Sequence, residues 1–231
     1  MLRVGLTGGL GSGKSTVASM LHDLGAEIIE SDDLGRQLME PGQTVFDQIV
    51  RVFGDDVVGP DGRLNRARLA DLAFRGGRLD ELNAIVHPAV VEAQVKWMNE
   101  LFERDPSAVA VIVSALIFEA ERDARGRGER ASILADWRRR IDRVIVVTAT
   151  DDLKIQRFID RLGVPASGRQ AAEADARNRL SHQIPDVEKA ARADYLIENV
   201  GDRDSLRAQV DNLWPLLKAE SNKCRANGSL K

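Results

Sequence analysis

Residues 8 to 15 read Gly8-Gly9-Leu10-Gly11-Ser12-Gly13-Lys14-Ser15, which is GxxxxGK[ST] in full. Glycines let a backbone curl tightly and aim several N–H groups at one point, where polyphosphate oxygens can accept them. A helix that starts at such a turn adds its positive end. In this arrangement Gly11, Ser12 and Gly13 cradle phosphates, Lys14 reaches the β- and γ-phosphates, and the Ser15 hydroxyl ligates Mg²⁺. The motif points to ATP or a similar nucleotide. By itself it does not separate a kinase from a GTPase or an ATPase motor.

Phosphoryl transfer asks a protein to align donor and acceptor and to neutralise spreading charge. Asp32 follows the apolar run Ala26-Glu27-Ile28-Ile29 and is placed to take an acceptor hydroxyl's proton or to hold a water on Mg²⁺. Its position also suits the N-cap of a following helix. Arg157 and Arg161 stand four apart, on one helical face, where guanidinium groups can close over a transferring phosphoryl group. Surface salt bridges are the plainer use of both. His87, beside Pro88, is expected to shape an acceptor pocket by packing and a hydrogen bond. Leu116, Ile117 and Phe118 form either an apolar wall for the acceptor or ordinary core.

These residues need elements to position them. Leu2 to Thr7 reads as a buried strand, and Lys14 to Leu24 repeats apolar residues at helical spacing before Gly25. Val109 to Val113 and Val144 to Val147 are rich in β-branched residues, and Tyr195-Leu196-Ile197 is a shorter candidate strand. Leu79 to Leu101 reads as two helices broken by Pro88, Asp151 to Leu162 as another, and Leu206, Val210, Leu213 and Leu217 as one face of a closing helix. Strands alternating with helices predict a parallel sheet with ligands at the carboxyl ends of its strands. The expected core spans residues 1–32, 106–162 and 193–218. Residues 33–105 are expected to form a helical acceptor lobe and residues 163–192 a short Arg-bearing lid; residues 219–231 are expected to be disordered.

The chain has 231 residues, 43% of them hydrophobic, and a formal charge of −3. That is enough for one α/β domain with a smaller lobe, and a net-acidic chain does not suit non-specific nucleic-acid binding. Cys224 is the only cysteine, so no intrachain disulfide exists. The longest apolar stretch, Ala108 to Phe118, is too short to span a bilayer, and a strand opening at residue 2 leaves no room for a signal peptide. The cytoplasm is the expected compartment, and no membrane, nucleic acid or obligate protein partner is expected. Residues 120 to 141 hold seven arginines interleaved with Glu121, Asp123, Glu129 and Asp136, the pattern of a solvated helix–loop, with Trp137 pinning its end.

The chain has no Asn-Lys-x-Asp base-reading motif of a GTPase, and Ser114 to Glu119 fits a motor's acidic strand end poorly. A lobe and an Arg-bearing lid suit a small-molecule kinase. Along most of its length the sequence resembles the dephospho-CoA kinase family. Gly5-Leu6-Thr7-Gly8-Gly9-Leu10-Gly11-Ser12-Gly13-Lys14-Ser15-Thr16 reproduces that family's opening motif, and Asp32 and Arg36 match its second-strand turn. Leu82-Asn83-Ala84-Ile85-Val86-His87-Pro88 matches its lobe signature. Further matches fall at Gln156-Arg157, Arg161, Arg179-Leu180, Gln183, Lys189, Ala193-Asp194-Tyr195 and Asn199-Val200-Gly201. Glu30 stands where the family has Asp, and Ala115 where it has proline.

The resemblance implies a P-loop kinase fold and transfer of the ATP γ-phosphate to the ribose 3′-hydroxyl of dephospho-CoA, with Mg²⁺ as cofactor. It implies catalytic roles for Lys14, Asp32 and Arg157, with Arg161 on the lid. It implies that Thr16, Asn199 and Gly201 join the loop in binding ATP. It further implies that Asp32, Arg36, His87, Leu116 and Phe118 hold the acceptor. A kinase of nucleosides or nucleoside monophosphates, and a nucleotide-binding regulatory module, are the alternatives.

Overall fold

Five strands hydrogen-bond side by side, all parallel, in the order β2-β3-β1-β4-β5. They are β1 (Leu2–Thr7), β2 (Glu27–Glu30), β3 (Val109–Val113), β4 (Arg143–Thr148) and β5 (Tyr195–Glu198). The computed structural model describes the backbone of residues 1–228 and the side chains of residues 1–223. Side chains alternate across a strand, so each strand feeds two cores. Val109, Val111 and Val113 join Leu2, Val4 and Leu6 beneath helix α1 (Lys14–Asp23) and the closing helix α10 (Arg203–Gly228). Ala110 and Ile112 face the other way, with Val144 and Val146, toward Met98, Phe102, Phe118 and Trp137. Leu206, Val210, Leu213 and Leu217 are all buried on one face of α10, as their spacing requires.

Between β2 and β3 lie α2 (Ser31–Leu38), α3 (Thr44–Phe53), α4 (Arg66–Ala70) and α5 (Leu79–Arg104). They enclose a separate small core of Val45, Ile49, Phe53, Val57 and Leu69. Pro88 does not divide this region into two helices; α5 runs unbroken for 26 residues with Pro88 inside it. The ring removes one N–H, but Val90, Val91, Gln94 and Met98 beyond it are all buried, and tertiary packing outweighs the local loss.

After β3 come α6 (Ile117–Gly126) and then two 3-10 turns, and after β4 come α7 (Asp151–Leu162), α8 (Arg169–Ser181) and α9 (Asp186–Ala190). Ile155, Phe158, Ile159, Ala172 and Ala176 form the core shared by α7 and α8, and Leu10 of the glycine loop packs into it.

The expectation of disorder from residue 219 is corrected for its first part. Helix α10 continues to Gly228, and the buried Ser221 hydroxyl donates to the Ser107 carbonyl at 2.8 Å. Glu220 accepts a hydrogen bond from the Tyr195 hydroxyl at 2.5 Å and pairs with Arg143 at 2.8 Å, so side chains anchor this turn to the sheet. The Cys224 side chain and residues 229–231 lie outside the described residues. No described helix is long and apolar enough to cross a membrane.

Candidate active site

Every strand ends at the same edge of a parallel sheet, so the segments after β1, β2, β3, β4 and β5 converge there. The glycine loop follows β1 and opens α1. Two of its glycines are required by close approach. A Cβ on Gly11 (φ 71°) would lie 2.2 Å from the Lys154 carbonyl oxygen, and one on Gly13 (φ 98°) 2.1 Å from Asn199 Nδ2. Ser12 is buried, and its Oγ has no hydrogen-bond partner. Ser15 and Thr16 are exposed in the first turn of α1. Among the described residues no cluster of three or more His, Cys, Asp or Glu could hold a metal. An open serine hydroxyl beside a phosphate loop suits a small hard cation that takes its other oxygens from phosphates and water.

Lys14 folds over its own loop, with Nζ donating to the Gly8 carbonyl at 3.1 Å and the Gly9 carbonyl at 2.9 Å. Its pKa is lowered to about 8, chiefly by burial and next by the neighbouring Lys189. Asp32 and Asp186 act in the opposite sense, and Arg161 adds to the depression. These four charged groups therefore surround the phosphate lysine, as two cations and two carboxylates.

Asp32 is not the N-cap of α2. Glu30 occupies that position without a side-chain cap bond, and Asp32 lies exposed in the first helical turn. Burial raises the Glu30 pKa, and Asp33 and Asp32 add to the rise. Arg36, one turn along α2, is exposed and paired with Asp33.

Behind Asp32 opens a cavity of about 540 Å³ between the sheet edge and the helical lobe. Leu64, Leu69, Phe74, Leu82 and Val86 give it apolar walls, while Ser31, Asp32, His87, Gln94 and Leu116 bring polar and backbone groups to its inner end. Gln94 donates to Ser31 Oγ at 2.8 Å and leaves its own carbonyl oxygen unpartnered. His87 Nδ1 is likewise buried without a partner, and burial lowers the His87 pKa, so the ring is held neutral. Leu116 and Ile117 line this space, but Phe118 does not. Phe118 is fully buried in the sheet core, its ring 5.6 Å from that of Trp137 in an edge-on contact. A helix begins at Ile117, and successive side chains on a helix diverge by about 100°.

Arg157 and Arg161 share a helix but serve different ends of it. Arg157 donates to the Asn199 carbonyl at 3.0 Å and to Asn199 Oδ1 at 3.3 Å. Asn199 in turn donates Nδ2 to the Ser12 carbonyl at 2.8 Å and is 7% exposed. Its amide braces the loop, and Gly201 beyond it is exposed. Arg161 is the exposed arginine felt by Lys14, and Arg179 on α8 lines the lobe cavity. Both guanidinium groups stand over Phe158, at 5.8 and 5.4 Å from its centroid.

Three supports have no role assigned from the sequence, although Gln183 and Lys189 fall at positions that match the family pattern. Lys154 is 4% exposed and pairs with Asp186 at 2.6 Å and Asp151 at 3.0 Å, beside Gly9. The Gln183 side chain accepts from the Leu10 N–H at 3.0 Å. Lys189 Nζ, fully buried, lies 2.8 Å from Glu119 Oε1 and donates to the Ala115 carbonyl at 3.0 Å. For Lys154 the cue would be a charged side chain on the inward face of an otherwise apolar helical pattern, shared with Ile155, Phe158 and Ile159.

A family model described as dephospho-CoA kinase matches residues 2–130 and 131–204. The dephospho-CoA kinase of Corynebacterium diphtheriae is 37% identical over 91% of this chain and 94% of its own length. That of Syntrophotalea carbinolica is 39% identical over 91% of this chain and 89% of its own. Among solved structures, TT1252 from Thermus thermophilus superposes with a TM-score of 0.68 at 29% identity, covering 93% of this chain and 97% of that one. Dephospho-CoA kinase from Campylobacter jejuni shares the fold, with a TM-score of 0.63 at 18% identity over 94% and 97% of the two chains. With the glycine loop, the carboxylate after β2 and the lobe cavity all on one sheet edge, the chain belongs to the dephospho-CoA kinase family.

Proposed function

We propose that this chain transfers the γ-phosphate of ATP to the ribose 3′-hydroxyl of dephospho-CoA, giving CoA and ADP, the last step of coenzyme A biosynthesis. The observation that carries the reading is the double membership of Asp32. Its carboxylate acts on Lys14 in the phosphate loop and also lines the acceptor cavity.

In this reading ATP phosphates replace the Gly8 and Gly9 carbonyls as partners of Lys14 Nζ. Asp32 accepts the proton of the 3′-hydroxyl, whose oxygen attacks the γ-phosphorus while the bond to the β-phosphate oxygen breaks. Lys14 and Arg161 neutralise the charge that spreads over the transferring group, and Arg179 closes the same face from α8. Arg157 acts one step removed, by fixing Asn199 and through it the loop. The Ser15 hydroxyl would hold Mg²⁺, which when bound neutralises the β- and γ-oxygens. Residues 163–192 act as the lid and residues 33–105 as the acceptor lobe. The need for ATP and the single cysteine support a cytoplasmic reaction.

The apolar walls from Leu64 to Val86 suit an acceptor with a long arm beyond its nucleoside, whose remote contacts orient the ribose. An acceptor panel tests this. ADP release is expected with dephospho-CoA, and little with adenosine, AMP, CMP or shikimate, the new phosphate lying on the 3′-hydroxyl by phosphorus NMR. Efficient turnover of a nucleoside monophosphate with dephospho-CoA inert would overturn the acceptor assignment.

A further inference from the structure

Arg140 stands apart from the arginine-rich segment that contains it. Arg122 pairs with Asp123, Arg125 with Glu121, and Arg127 with Glu129, while Arg138 stacks on Trp137. Arg140 instead is 4% exposed and lines the acceptor cavity. Its Nε has no hydrogen-bond partner, and among the described residues no carboxylate lies within ion-pairing distance. The acidic group it feels, Glu121, is already engaged by Arg125 and Arg192. Burial drives the Arg140 pKa down to about 10, a measure of how poorly this charge is compensated.

Such a cation is costly to keep, so its position must be imposed by its surroundings. Trp137, 2% exposed against Phe118, anchors the turn, and its carbonyl accepts from the N–H groups of Arg140 and Ile141 at 3.1 and 3.0 Å. The other arginines on the cavity wall each have a carboxylate partner: Arg36 has Asp33, Arg66 has Glu40, and Arg179 has Asp175. His87, whose Nδ1 is also orphaned, lines the same cavity and feels the Arg140 charge. Arg140 shares the cavity lining with Asp32, while Lys14 lies outside it.

A preorganised guanidinium with a neutral imidazole beside it, inside apolar walls, is a receptor for one compact anionic group. Dephospho-CoA carries one such group, the diphosphate that joins its adenosine to its pantetheine arm. We propose that Arg140, with His87, holds that diphosphate and so sets how deeply the acceptor enters the cavity. The proposal rests on dephospho-CoA being the acceptor. Arg140 is then a specificity residue that orients the ribose hydroxyl from a distance.

The test combines kinetics and melting of Arg140→Gln, Arg140→Lys and Arg140→Met. Loss of a charged hydrogen bond predicts a rise in KM for dephospho-CoA of about 10- to 100-fold in Arg140→Gln. KM for ATP should not move, Arg140→Lys should recover part of the loss, and the residual turnover of adenosine, which has no diphosphate, should be unchanged. Arg140→Met should melt no lower than the wild type, because it removes an uncompensated charge. An unchanged KM for dephospho-CoA would overturn the proposal. So would equal losses toward ATP and adenosine, or a lowered melting point with kcat falling in step, each of which marks a structural arginine. If the wild-type protein leaves dephospho-CoA untouched while phosphorylating another acceptor, the acceptor assignment itself fails and this proposal with it.

Discussion

Asn199 and Ser12 meet across 187 positions of sequence, the Asn199 amide donating to the Ser12 carbonyl at 2.8 Å. Carbonyl oxygens turned outward in this way leave the loop N–H groups free to face phosphates. Asn199→Ala should therefore weaken ATP binding with little change in acceptor KM. Asn199→Asp keeps an acceptor for Arg157 but sets a carboxylate against the Ser12 carbonyl, so it should bind ATP less well than Asn199→Ala. Calorimetric titration with ATP checks the order, and wild-type affinity in Asn199→Asp would refute the brace.

Asp32→Asn removes the proton acceptor while keeping the side chain's size. A fall in kcat of roughly 10²–10⁴ is expected, the usual worth of a positioned acid–base group. The melting temperature should barely move, because the side chain is exposed and caps nothing. Intact turnover in this variant would remove Asp32 from the chemistry.

The free-protein pKa of Lys14 sits near 8, below the ordinary lysine value, chiefly because of burial. ATP phosphates favour the charged form, so binding raises that pKa. Between about pH 8 and the higher value in the complex, ATP binding must take up a proton. kcat/KM for ATP should be flat below pH 8 and decline above it. Titrations in buffers of different ionisation enthalpy at pH 9 measure the uptake, which should vanish in Lys14→Met.

Lys189 and Glu119 form an ion pair with side chains 0% and 4% exposed. Removing one member strands the other, at a cost of about 3–5 kcal/mol. Lys189→Ala should lose about that much in urea unfolding, and the double variant Lys189→Met/Glu119→Leu should recover most of it. Equal stability of the single and double variants would show that the pair is not coupled.

The glycine loop was legible because its eight residues are contiguous and their chemistry is shared by backbone and side chain. The strands Val109–Val113 and Arg143–Thr148 were legible because they are buried on both faces and nearly continuously β-branched. Assembly across distance was not. Nothing near Arg140 distinguishes it from Arg138 or Arg139, since its burial depends on Trp137 docking against Phe118. Phe118 sits beside cavity residues in sequence, yet one helical step turns it into the core. Arg157 and Arg161 share a face by spacing, but Asn199, arriving from the chain's far end, engages Arg157 and leaves Arg161 exposed.

Leu10, at the loop's tip, is embedded in the α7–α8 core and its N–H is claimed by Gln183. The loop and the arginine-bearing helices are thus geared together. Any swing of α7 and α8 drags the tip and re-aims the amides behind it. Substitutions inside the helical pair, at Phe158 or Ala176, will consequently register as altered nucleotide residence time although those side chains touch no nucleotide. Nucleotide release is then expected to depend on how firmly this hydrophobic core is packed, and not on phosphate contacts alone.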